Sequence, residues 1–103
     1  MRSPALYAEI DTPALVIDMD IVDANIAEMA ELARLNGVRL RPHTKTHKMP
    51  AFAKRQLAAG AGGITCSSLS EAEVMAEAGC TDIHIVVPLW GDAKIDRLRT
   101  LRD

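Results

Sequence analysis

Gly63-Ile64-Thr65-Cys66-Ser67-Ser68-Leu69-Ser70-Glu71-Ala72-Glu73-Val74-Met75-Ala76-Glu77-Ala78-Gly79 contains one complete strand-to-helix unit. A short apolar run of the kind buried in a parallel sheet, Gly63 to Cys66, is followed by serine punctuation, an alanine-rich amphipathic stretch and a glycine. Ser70 with Glu73 three residues later has the spacing of a capping box, Val74 and Ala78 continue the apolar face, and Gly79 marks the stop.

The same grammar repeats on either side. Val22, Ile26, Met29 and Ala33 form one stripe of a 3.6-residue period, which predicts a helix from about Asp20 to Asn36, with Asp20 and Asp23 at its start and Gly37 after it. Pro50 opens a second helix that runs to about Ala59 and stops at Gly60. A fourth, from about Asp92 to Leu101, places Ile95, Leu98 and Leu101 on one side. Between them the runs Ala14 to Ile17, Val38 to Leu40 and Ile83 to Val87 read as strands. Strand and helix alternating at this rhythm predict an α/β fold of βα units with right-handed crossovers. Three or four units are too few to close an eight-stranded barrel, which needs about 250 residues, so the 103 residues read as the front piece of a longer protein or as a small open sheet.

Composition narrows the function classes. Twelve basic against fourteen acidic groups give a net charge of −2, which argues against a nucleic-acid binder held by bulk electrostatics. The longest uncharged stretch, Gln56 to Ser70, carries Gly60, Gly62, Gly63 and three serines, so no membrane-spanning helix is expected. Arg2, Glu9, Asp11, Asp18 and Asp20 interrupt any apolar leader, which predicts a cytoplasmic protein. In that compartment Cys66 and Cys80 read as small core side chains rather than a disulfide.

Chemistry concentrates in Arg41-Pro42-His43-Thr44-Lys45-Thr46-His47-Lys48, between a strand-like run and a helix. The C-terminal ends of strands are where α/β proteins collect their reactive groups. A lysine crowded by other cations gives up its proton more readily, and the free amine attacks aldehydes and ketones, which makes Lys45 the central candidate. From residue types alone a solvated or phosphate-binding basic loop is an equal reading. His43 and His47 lie four apart, but Pro42 and Pro50 leave little room for a helix and no acidic third ligand is near, so no metal site is expected here. Trp90 and His84 read as packing or surface residues, and the methionines as core filler.

Taken with Asp11-Thr12-Pro13-Ala14-Leu15-Val16-Ile17-Asp18, Asn25-Ile26, Gly63-Ile64-Thr65 and Leu69-Ser70-Glu71-Ala72-Glu73, that basic string resembles the start of the D-threonine aldolase and eukaryotic-type D-serine dehydratase family, pyridoxal-phosphate enzymes built like alanine racemase. The resemblance covers most of residues 11–91 and implies the N-terminal part of a TIM-type (β/α)8 barrel, incomplete at 103 residues. It further implies one partial domain over 1–103, in which a strand within 1–18 belongs to a separate β-domain and 19–103 holds the first βα units, with Val38 to Leu40 as the first barrel strand. On the same ground Lys45, in preference to Lys48, is expected to form the internal imine with pyridoxal 5'-phosphate, and Thr65 to point toward the cofactor; alternation at a strand end places His43 beside Lys45. The activity implied is a lyase acting on small D-amino acids, a D-threonine aldolase or D-serine dehydratase. The full-length parent is expected to be a homodimer, with any divalent metal held by residues absent here. A protein that binds the cofactor without turnover is the alternative.

Overall fold

The protein is described from a computed structural model covering residues 7–103. Helix α1 spans Met19–Leu35, α2 Pro50–Ala58, α3 Leu69–Glu77 and α4 Asp92–Arg102. Strands β1 (Ile64–Cys66) and β2 (Ile83–Ile85) pair in parallel, Ile64 opposite Ile83 and Cys66 opposite Ile85, and α3 makes the crossover between them. A 3-10 turn, Thr44–Thr46, sits ahead of α2.

Local chemistry explains the helix ends, with two shifts from the sequence reading. Asp18, rather than Asp20 or Asp23, caps α1, its carboxylate accepting from the N–H groups of Asp20 and Ile21. Ser68, rather than Ser70, caps α3: its hydroxyl accepts from Glu71 N–H, while the Glu71 carboxylate turns back to Ser67 instead of closing a capping box on Ser68 N–H. Ser70 and Glu73 instead hold Arg97 of α4. Starting α3 two residues earlier turns its buried face to Leu69, Ala72 and Met75 and leaves Val74 exposed. Pro50 is the first residue of α2, where a missing N–H costs nothing. Gly37, Gly60 and Gly79 all take positive φ (62°, 118° and 104°), as helix stops require.

Two expected strands are not formed. Val38 to Leu40 lies outside any regular strand, although the chain just beyond it runs beside β1: Leu40 and Pro42 carbonyls accept from Gly62 and Thr65 N–H at 2.8 Å each, and His43 bridges Thr65. Pro42 has no N–H to donate, so the ladder cannot continue through it. Ala14 to Ile17 finds no partner strand among the described residues, and Leu15 is 90% exposed. The rest of the 1–18 expectation, residues 1–6, lies outside the described residues.

The core is fine-grained. Ala53, Ile64, Cys66, Ala72, Met75 and Cys80 form one buried cluster, flanked by Leu57, Ile83, Ile85 and Leu101. Both cysteines are free thiols inside it. Of the expected α1 stripe only Ala33 is buried, while Met29 is half exposed, and Trp90 stands exposed rather than packed. At the N-terminal end of the strands Asp82 clamps the sheet, pairing with Arg39 and with Arg41 at 2.5 and 2.7 Å, while Arg41 also donates to the Ile64 carbonyl at 3.1 Å. Those two guanidiniums, Arg41 foremost, hold the Asp82 carboxyl below its usual range.

Candidate active site

The basic loop lies at the opposite, C-terminal end of β1, beside Thr65 rather than at the end of a strand of its own. Its centre is Thr44, which is fully buried. The Thr44 hydroxyl is 2.8 Å from Glu71 Oε1, 3.1 Å from the Thr65 carbonyl and 3.5 Å from Cys66 Sγ. It has one proton, and the charged, nearer carboxylate is the stronger acceptor, which leaves its lone pairs for the Cys66 S–H. The Thr44 carbonyl accepts Lys48 N–H at 2.7 Å and closes the turn.

Glu71 reaches this point from the first turn of α3. Its other oxygen accepts from the Ser67 N–H at 2.9 Å and the Ser67 hydroxyl at 2.7 Å. Burial works against its ionisation. The Ser67 and Thr44 hydrogen bonds outweigh burial and hold the carboxyl below its usual range. Burial raises the Cys66 thiol, which marks it as packing rather than a nucleophile.

Lys45 follows Thr44 directly. Its backbone N–H donates to His43 Nδ1 at 3.2 Å, and its side chain is exposed. Among the described residues none holds the Lys45 ammonium in an ion pair or hydrogen bond. Lys48 takes a left-handed φ of 54° and lines, with Ser67, Ser68 and Glu71, a groove of about 290 Å³ beside the start of α3; Lys45 stands outside that groove.

The structure brings His43, Lys45 and Thr65 together and separates His47 from them. His47 Nδ1 accepts Met49 N–H at 2.9 Å, so its Nε2 carries the proton toward Gln56 Oε1 at 3.2 Å, and its ring meets Phe52 edge-on. It braces the turn that leads into α2. Thr65 is buried, its hydroxyl 3.5 Å from the Arg41 carbonyl. No group of three His, Cys, Asp or Glu able to hold a metal occurs among the described residues. The sequence reading missed Thr44, Ser67 and Glu71 as site residues. The serine-to-glutamate spacing of the α3 cap was the signal for Glu71; nothing local marked Thr44.

A free primary amine on a turn anchored by a buried side chain has the chemistry to carry an aldehyde cofactor. Residues 17–101 match the alanine racemase N-terminal domain. The chain belongs to the alanine racemase N-terminal domain family. Within it, the chain is 47% identical over 94 residues to a D-threonine aldolase of Arthrobacter sp., covering 91% of this chain and 25% of that protein. It is 52% identical over 80 residues to the D-threo-3-hydroxyaspartate dehydratase of Delftia sp. strain HT23, covering 78% and 21%. The crystal structure of D-threonine aldolase from Filomicrobium marinum superposes with a TM-score of 0.87 at 48% identity, over 89% of this chain and 25% of that one. The chain therefore spans about a quarter of the length of these alanine racemase-type relatives. No helix among the described residues is long and apolar enough to cross a membrane.

Proposed function

We propose that the chain supplies the cofactor-anchoring lysine, Lys45, of a pyridoxal-phosphate-dependent lyase that acts on 3-hydroxy-D-amino acids. The observation that carries this reading is an exposed, uncommitted primary amine placed directly after a fully buried, triply contacted threonine at the C-terminal end of a parallel strand. Pyridoxal phosphate, when bound, supplies an aldehyde for the lysine and an electron-withdrawing ring that stabilises negative charge at the substrate α-carbon. The residues of this chain do the holding. Thr44 fixes the backbone, His43 Nδ1 receives the Lys45 N–H and leaves Nε2 for contact with the cofactor, and Thr65 ties β1 to the Lys45 segment. Freed of the cofactor, Lys45 Nζ is the group able to hold or move a proton beside the substrate.

The names of the relatives, D-threonine aldolase, D-threo-3-hydroxyaspartate dehydratase and 3-hydroxy-D-aspartate aldolase, share a hydroxyl on the β-carbon and support that substrate class. D-Serine dehydration is a variant of the same reading. A divalent metal enters through residues outside this chain, supported by the dehydratase relative solved in a metal-free form. The reading carries with it a homodimeric, cytoplasmic whole protein with no nucleic-acid partner. Incubating the full-length protein with pyridoxal phosphate, reducing with borohydride and mapping peptides tests it. The adduct is expected on Lys45, with cleavage or dehydration of D-threonine or 3-hydroxy-D-aspartate. An adduct on Lys48 alone overturns the assignment, and cofactor uptake without turnover leaves the non-catalytic alternative.

A further inference from the structure

Glu71 lies in the α3 cap, yet its carboxylate does more than a cap requires. A capping glutamate satisfies backbone N–H groups at its own helix start. Here one oxygen takes both Ser67 donors, and the other crosses to a different segment to take the hydroxyl of Thr44. Three hydrogen bonds from 2.7 to 2.9 Å converge on one partly buried anion. Thr44 is fully buried and its carbonyl closes the turn through Lys48 N–H, so the backbone that carries Lys45 is referenced to the α3 start through a single carboxylate.

We propose that Glu71 is a positioning residue for Lys45: by gripping Thr44 it fixes the base of the lysine side chain, so that the amine reaches the cofactor aldehyde in an attachable geometry. The inference rests on the reading that Lys45 carries the cofactor. It does not place Glu71 in contact with cofactor or substrate. A glutamine at 71 could still donate its amide to the Thr44 hydroxyl, whose proton would turn to the Thr65 carbonyl 3.1 Å away. A leucine offers neither donor nor acceptor, so Glu71→Leu removes the grip at similar side-chain volume.

The test uses the full-length protein in cofactor-free and loaded forms. Hydrogen exchange on the cofactor-free protein reads the turn directly, and the rate at which pyridoxal phosphate becomes borohydride-trappable on Lys45 reads the reach of the amine. Glu71→Leu and Thr44→Val are each expected to speed exchange at the Lys45 and Lys48 amides roughly tenfold and to slow trapping about 10- to 100-fold, the scale of an ångström-level misplacement. The loss should fall on kcat more than on KM. Thr44→Ser, which keeps the hydroxyl, should recover most of the trapping rate.

Wild-type exchange and trapping in folded Glu71→Leu and Thr44→Val overturn the proposal. Should Glu71→Leu not fold, the comparison of Thr44→Val with Thr44→Ser decides: equal trapping rates count against a positioning role, and a slow valine with a fast serine supports it. Trapping on another lysine in the wild type sinks the lysine assignment itself, a different outcome from a change in rate at Lys45.

Discussion

Gly63→Ala should weaken the fold from the end of the sheet farthest from the lysine. A Cβ at Gly63 would lie 2.8 Å from the Asp82 carbonyl oxygen and 2.5 Å from Arg41 Nη1. The carbonyl falls short of ordinary contact, which begins at 3.4 Å, by about 0.6 Å. It cannot retreat freely, because it accepts Ile64 N–H at 2.9 Å and so forms the first rung between β1 and β2. Arg41 is displaced as well, with its bonds to the Ile64 carbonyl and Asp82. Overpacking of this kind costs about 1–3 kcal/mol. Gly62→Ala is the milder comparison: the atoms nearest its Cβ belong to the exposed Arg39 side chain, which can turn into solvent at the cost of its surface ion pair with Asp82, about 0–1 kcal/mol. Urea unfolding of the full-length protein should show a lower midpoint for Gly63→Ala, with slope unchanged, and little change for Gly62→Ala. Equal stability of Gly63→Ala and wild type, or a larger loss for Gly62→Ala, would refute the reasoning.

Met75 is fully buried among small residues, so Met75→Ala should cost about 2–5 kcal/mol, read by the same unfolding curve. Glu71 and Asp82 have carboxyls held lower folded than unfolded. Each therefore adds stability that is full above its unfolded pKa and is lost as pH falls through its folded one. Glu71→Gln and Asp82→Asn should flatten the acid limb of stability against pH, and salt should flatten the exposed Asp82 contribution more. Cys66 and Cys80 should react slowly with a thiol reagent in the native protein and fast once it unfolds, with no mass change on reduction. Lys48→Gly relieves a left-handed φ and should be neutral to stabilising by up to about 1 kcal/mol in thermal unfolding.

Helix positions were legible in the sequence because their signals are local. The glycine stops, Pro50 and the apolar periods each act within a turn or two of the residue that reports them. The caps of α1 and α3 were misplaced because several serines and aspartates crowd each start, and only the path of the incoming chain selects among them. Val38 to Leu40 has strand composition, but pairing is a property of two segments, and Pro42 denies the second half of the ladder. The turn that carries Lys45 was legible as a concentration of cations and imidazoles between Pro42 and Pro50. Thr44 was not, since its role depends on an α3 carboxylate 27 residues away.

The grain of the core has a consequence for which positions tolerate change. Ala53, Ala72, Cys66 and Cys80 are short side chains buried in one close-packed cluster, which leaves no open space for an added group. A larger residue there passes its displacement into the backbone of β1. That strand holds Thr65 and Cys66, whose carbonyl and thiol meet the Thr44 hydroxyl. The small core residues thus behave mechanically as a footing for the lysine turn, though none of the alanines touches it. Variation should be absorbed on the exposed faces of α1 and α4, while a single methyl group added beneath β1 is felt at Lys45.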